Sequence, residues 1–203
     1  MDRQSTIIFI DTNILLDFYR VRGDGVKLEL LDLIDKHKDI MITGSQVEME
    51  YKKNRQRVIA QSLEAQKTPE WSGLAAPVFL ASALPAKKIE KARDVIRVQQ
   101  NNLKQRIAAI IENPSATDEV YKKLQRVFKH QSPHNLNREN KLRFRIRKLA
   151  RKRFALGYPP RKPADTSFGD AINWEWIVHC AIDGGKHIVI VTRDTDYGAV
   201  SRS

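Results

Sequence analysis

The chain has 203 residues, 41% hydrophobic and 30% charged, which is enough for one domain with a real core and excludes a disordered or fibrous protein. Lysine and arginine number 36 against 24 acids, a net charge of +12 that points to a polyanionic partner, nucleic acid ahead of a membrane surface. A lone cysteine, Cys180, excludes an internal disulfide and a cysteine-based zinc site and suits a reducing compartment.

In chain order, Ile7-Ile8-Phe9-Ile10 reads as a short buried strand. It is too short for a signal-peptide core, and no apolar stretch approaches the roughly 18 residues of a membrane span. The expected location is therefore the cytoplasm, with no membrane anchor. Asp11-Thr12-Asn13 ends the strand, and Ile14 to Tyr19 reads as a helix. After the break at Arg22-Gly23-Asp24-Gly25, Leu28, Leu30, Leu31, Leu33 and Ile34 follow at helical spacing. A second strand is predicted at Ile40 to Thr43, and Gly44-Ser45 opens another helix. From about Lys52 to Leu156 the pattern is helical with no strand-like run, with helices expected near 86–112, 116–130 and 137–155. Phe168 to Ile182 reads as a helix, Gly184-Gly185 breaks it, and Ile188 to Val191 is a third buried strand. Short apolar strands alternating with helices predict an α/β fold, a parallel sheet flanked by helices. The middle is then an α-helical insertion, at about 57–155, within a single domain spanning 1–203.

The positive charge is concentrated in that insertion. Lys122 to Arg153 holds thirteen lysines and arginines and one acid, Glu139. So many cations exceed what local ion pairs offset, and phosphate-backbone binding is the expected use. Arg143, Arg145, Arg147, Arg151 and Arg153 are the candidate nucleic-acid contacts, positioning a strand without reading its sequence. Leu142, Phe144, Ile146, Leu149 and Phe154 are expected to pack one side of the same helix inward.

Acids gather where the strands end. Asp11 closes the first strand, Glu48 and Glu50 stand on the helix after the second, Asp170 opens the helix before the third, and Asp194 and Asp196 follow the third. In an open parallel sheet, sites form outside the carboxyl ends of the strands. Acids converging there repel one another unless a hard divalent cation, Mg²⁺ or Mn²⁺, lies among them, which is the arrangement of metal-assisted phosphodiester hydrolysis. Each acid also has a plainer reading. Asp11 and Asp170 suit helix caps, and Ser45 with Glu48 has capping-box spacing, which leaves Glu50 as the preferred ligand. Asp17 is either a supporting group or part of an exposed face, and Asp165 reads as a loop residue.

Asp11-Thr12-Asn13 after an apolar strand, then Glu50, Gly169-Asp170-Ala171 and Thr192-Arg193-Asp194-Thr195-Asp196-Tyr197, in that order, resemble the PIN nuclease domain. The fit is to a PIN-like branch with a long helical insertion, carried by Gln46-Val47 to Asn54-Arg55, Gly157-Tyr158-Pro159-Pro160 and Phe168 to Trp174. It covers roughly residues 6–56 and 156–198. The resemblance implies a three-layer fold and a metal-dependent endonuclease, with RNA ahead of DNA as substrate and a toxin or phage-defence role as an extension. By position, Asp11, Glu50, Asp170 and Asp194 are the implied catalytic and metal-binding acids, with Asp196 as a fifth. Asn13 and Thr192 are implied as polar support. PIN domains usually continue past the last acidic motif, whereas this chain ends at Ser203. The expectation is a missing C-terminal edge, or a longer parent protein with another domain or partner there. A homodimer is also in keeping with the family.

Two other readings stay open: a non-catalytic nucleic-acid-binding module, and an interaction domain of a larger protein. The five histidines form no ligand spacing, and Cys180 reads as a buried small hydrophobe.

Overall fold

The computed structural model describes residues 6–20, 28–65, 74–160 and 168–194. The elements in chain order are β1 (Thr6–Ile10), α1 (Thr12–Leu15), α2 (Leu28–Lys36), β2 (Met41–Gly44), α3 (Ser45–Ala65), α4 (Leu84–Glu112), α5 (Pro114–Thr117), α6 (Glu119–Lys129), β3 (Asn135–Leu136), α7 (Leu142–Ala155), α8 (Gly169–Gly184) and β4 (His187–Val191). All strand pairs are parallel, in the order β3-β2-β1-β4. Thr6 to Ile10 pairs residue by residue with His187 to Val191, and Ile8-Phe9 pairs with Met41-Ile42. The chain therefore builds outward from β1 through β2 and β3, then crosses back to lay β4 on the other side of β1. That reversal puts a crevice at the carboxyl ends of β1 and β4, the place where open α/β sheets bind ligands.

The expected strands and the parallel α/β arrangement are present. Four local expectations are corrected. A strand does occur in the middle: β3, whose Asn135 and Leu136 pair with Thr43 and Gly44. A two-residue strand with a polar first residue has no apolar run to announce it. Gly44 is what lets β3 approach, since a Cβ there would stand 2.9 Å from the Leu136 carbonyl oxygen. The expected helix over Ile14–Tyr19 instead begins at Thr12 and tightens at Leu16–Tyr19 into a 3₁₀ turn. The Ser45–Glu48 capping box is not made: Ser45 Oγ donates to the Leu136 carbonyl at 3.1 Å, and Glu48 pairs with Lys52 one turn on. In α7 only Ile146 and Ala150 are buried, against α8; Leu142, Phe144 and Leu149 are exposed.

The core lies on both faces of β1 and beneath α3, α6 and α8, around Phe9, Leu31, Tyr51, Leu124 and Trp176. One buried ion pair joins distant segments. Arg55 of α3 meets Asp118, which precedes α6, with Nε to Oδ2 at 2.9 Å. Tyr19 Oη donates to the same oxygen at 2.7 Å, and Arg55 donates to the Ile110 carbonyl at 2.8 Å. The other oxygen, Oδ1, caps α6 by accepting from Tyr121 N at 2.9 Å. α4, by contrast, buries no residue along its 29.

Candidate active site

Asp11 leaves β1 at the crevice and is 7% exposed. It occupies the N-cap position of α1, yet its side chain makes no capping bond. Two side chains converge on Oδ2 instead, Thr192 Oγ1 at 2.7 Å and Asn13 Nδ2 at 2.9 Å. The Thr192 hydroxyl also accepts from Asp194 N at 3.0 Å, so one residue fixes both the β1 acid and the loop carrying Asp194. Burial pushes the Asp11 carboxyl above its ordinary range; the Thr192 bond opposes this, and the nearby Asp194 charge adds to it.

Glu50 reaches the crevice from α3. Its Oε1 accepts from Gln46 Nε2 at 2.6 Å and its Oε2 from Thr12 Oγ1 at 3.3 Å. Its pKa is also raised, by burial first, then by the charges of Asp170 and Asp11, while the Gln46 bond works the other way. Asp170 sits in the first turn of α8. Gly169 beside it is buried, and a Cβ there would collide with Glu50 Oε1 and Gln46 Nε2. The glycine thus lets α8 bring Asp170 close to Glu50.

The structure sets Asp11 near Asp194 and in contact with Asn13 and Thr192, and sets Glu50 near Asp170 and Asp11. Asp196 lies outside the described residues, as does Asp165. Asp17 is neither exposed nor idle: it is buried and paired with both Arg20 and Arg193, the latter in the Asp194 loop. Thr12 and Gln46 were not singled out from sequence as site residues. Gln46 was legible, standing four residues before Glu50 on a helix; Thr12 had no signal beyond its place in the triplet.

Among the described residues, no three His, Cys, Asp or Glu side chains stand close enough to hold a metal by themselves. The acids meet in pairs, all oxygen donors, and two are held above their ordinary pKa partly by neighbouring carboxylates, Asp11 by Asp194 and Glu50 by Asp170 and Asp11. That donor set fits a hard divalent cation that retains several waters.

The five candidate arginines of α7 divide. Arg143 and Arg147 line a cleft beside the acids, and Arg145 is exposed. Arg151 lies over the Phe168 ring, and Arg153 is committed to Glu175 at 2.5 Å and to the Pro159 carbonyl at 2.8 Å. The unbalanced charge of the basic stretch is also smaller than local counting suggests. Lys123 and Arg126 of α6 pair with Asp32 and Asp35 of α2, 91 residues away in each case. Cys180 is buried, its thiol pushed up to about 12 by burial. No helix among the described residues is long and apolar enough to cross a membrane.

A parallel sheet that reverses direction at β1, with acids delivered to that crevice from β1, α3, α8 and the β4 loop, defines an α/β protein with an acidic centre. The model of the PIN domain family matches residues 8–197, and the chain belongs to that family, one of nucleases that typically use divalent metals. No curated protein and no solved structure matches it.

Proposed function

We propose that this chain is a Mg²⁺- or Mn²⁺-dependent endoribonuclease, built as one domain with the 57–155 segment as its insertion. The observation that carries the reading is the state of the acids: Asp11 is buried and Glu50 partly so, neither has a cationic hydrogen-bond partner among the described residues, and both are pushed up by desolvation first and by neighbouring carboxylates after it. Asp11, Glu50, Asp170 and Asp194, with Asp196, would hold the cation. A bound divalent ion activates water and neutralises charge developing on the phosphate. Asn13 and Thr192 hold the Asp11 carboxylate in one orientation, and Thr12 and Gln46 do the same for Glu50. Arg143, Arg145 and Arg147 supply the positive surface that keeps the strand's phosphates beside the acids. Hydrolysis adds water across one P–O bond, leaving a phosphate on one fragment and a hydroxyl on the other.

The test is cleavage of single-stranded and structured RNA, with single-stranded DNA alongside, in Mn²⁺ or Mg²⁺ against EDTA, using wild type and Asp11→Asn purified in parallel. Metal-dependent cutting by wild type alone is expected. No cutting by either protein, with RNA still bound, would establish the non-catalytic binding module instead. A toxin or phage-defence role extends the reading, with growth arrest on expression of wild type but not of Asp11→Asn as its readout.

A further inference from the structure

A cleft of about 340 Å³ adjoins the acids at the carboxyl ends of β2 and β3. Its rim carries Arg138, Arg143 and Arg147, and no acid among the described residues lines it. None of the three arginines makes an ion pair among the described residues. Two of its lining side chains are buried with polar atoms unpartnered. Asn173 is 4% exposed with Nδ2 unbonded, and Thr43 is 5% exposed with Oγ1 unbonded. Unsatisfied groups at such depth are uncommon and point to a partner that arrives from outside.

The other walls specify that partner. Ser45, Gln46 and Val47, the first turn of the 21-residue α3, line the cleft, so the positive end of a long helix stands at its wall. Leu136, Ile172 and Trp176 line it as well. The indole N–H of Trp176 is spoken for by the Thr43 and His134 carbonyls, at 3.0 and 3.1 Å, which fixes the ring as part of the wall. An arginine rim and a helix N-terminus suit a phosphate; an apolar wall with a nearby amide donor suits a flat base. The volume lies at the small end of the range for ligand sites, matching one nucleotide.

We infer that this cleft is a binding subsite for a single nucleotide, with its phosphate among Arg138, Arg143 and Arg147 and its base against Leu136, Ile172 and Trp176. It shares walls with the acidic centre: Gln46 lines the cleft and bonds Glu50 at 2.6 Å, and Asn173 stands one helical turn from Asp170. On the nuclease reading, on which this part rests, the nucleotide is one of the substrate strand next to the bond that breaks. Binding itself needs neither metal nor cleavage.

The experiment titrates the full chain in EDTA by calorimetry with a nucleoside 5′-monophosphate, inorganic phosphate and the free nucleoside. The monophosphate is expected to bind at least tenfold more tightly than either part. Arg143→Ala/Arg147→Ala should weaken it at least tenfold. Asn173→Asp, nearly the same shape with a negative charge in place of a donor, should abolish it. Arg126→Ala, on α6, controls for lost charge and should leave it unchanged, and circular dichroism should confirm that each variant is folded. Monophosphate binding no tighter than inorganic phosphate would overturn the inference. So would wild-type affinity in the folded arginine variant. Nucleotide binding by a chain that cleaves nothing would sustain the subsite and sink the nuclease reading; Asp11-dependent cleavage without nucleotide binding would do the reverse.

Discussion

Asp118 and Asp11 are both buried carboxylates, 2% and 7% exposed, and they meet opposite surroundings. Asp118 has a guanidinium, a phenol and a backbone amide, with its positive partner supplied by the chain itself. Arg55 gains as well: burial alone would lower its pKa, but the Asp118 and Tyr19 bonds outweigh that and raise it. Asp11 has a hydroxyl and an amide, and the charge that shifts it is another carboxylate, Asp194. The first arrangement is complete as it stands and belongs to the fold. The second is a deficit of positive charge held in place by neutral donors, and such a deficit is where a cation or the electrostatic work of a site is to be found.

The comparison is broken most directly by removing each acid. Asp118→Ala leaves Arg55 buried without its counter-ion, and a loss of about 3–5 kcal/mol in urea unfolding is expected. Asp11→Asn should lose cleavage yet unfold, in EDTA at neutral pH, with no loss of stability and a small gain. The sign follows from linkage. The folded pKa of Asp11 lies above its ordinary value of 3.8, and that of Glu50 above 4.5. Their contribution to stability is therefore fully present below those values and lost as pH rises through the raised folded values. The advantage of Asp11→Asn over wild type should thus open as pH climbs from 3.8 through that range, then level off. Unfolding midpoints across pH in EDTA check this. A wild type that gains stability over the same interval, relative to the variant, would mean that Asp11 has a positive partner after all.

A second test separates geometry from charge. Gly169→Ala places a methyl group against the ends of the Glu50 and Gln46 side chains, both flexible, and not against backbone. Stability should fall by only about 1 kcal/mol, within the usual range for a single substitution. Cleavage should fall at least tenfold, because the Glu50 carboxylate is the atom group that must move. Thermal unfolding and cleavage rate measured on the same preparation distinguish this from general damage, which would lower both together.

Of the candidate site, Asp11 and Asp194 were legible because they follow strands, where a short apolar run followed by an acid is readable without tertiary knowledge; Glu50 and Asp170 stand on helices and were read by their place in the motif order. The sheet was legible from the same short apolar runs, apart from β3, which has two residues and depends on Gly44 for its approach. What stayed hidden were partnerships between distant segments. Asp17 reads as either a supporting group or part of an exposed face until Arg193, far along the chain, is folded onto it. Arg55 and Asp118 are 63 residues apart, and neither position carries a local sign of the other. The hydroxyl of Thr12 acquires its role only when α3 brings Glu50 within 3.3 Å.

The basic stretch gives the smallest effect and the sharpest reading of the two helices within it. Counted locally, α6 holds four cations and one acid and α7 seven cations and none; α6 also has acids from α2 across from it, while α7 has, for Arg143, Arg145 and Arg147, none among the described residues. The Arg126–Asp35 pair holds the Asp35 carboxyl below its ordinary range, chiefly through the arginine's hydrogen bond. Its stabilisation is present above 3.8 and lost as pH falls through the lower folded value. Half of the Arg126 side chain is exposed, so solvent screens the pair, and Arg126→Ala should cost no more than about 0.5 kcal/mol. Affinity for RNA in EDTA should scarcely change in that variant, while Arg143→Ala/Arg147→Ala lowers it and flattens its salt dependence by about two counter-ions. Equal losses from the two helices would mean that net charge alone, and not the unpaired face of α7, holds the strand.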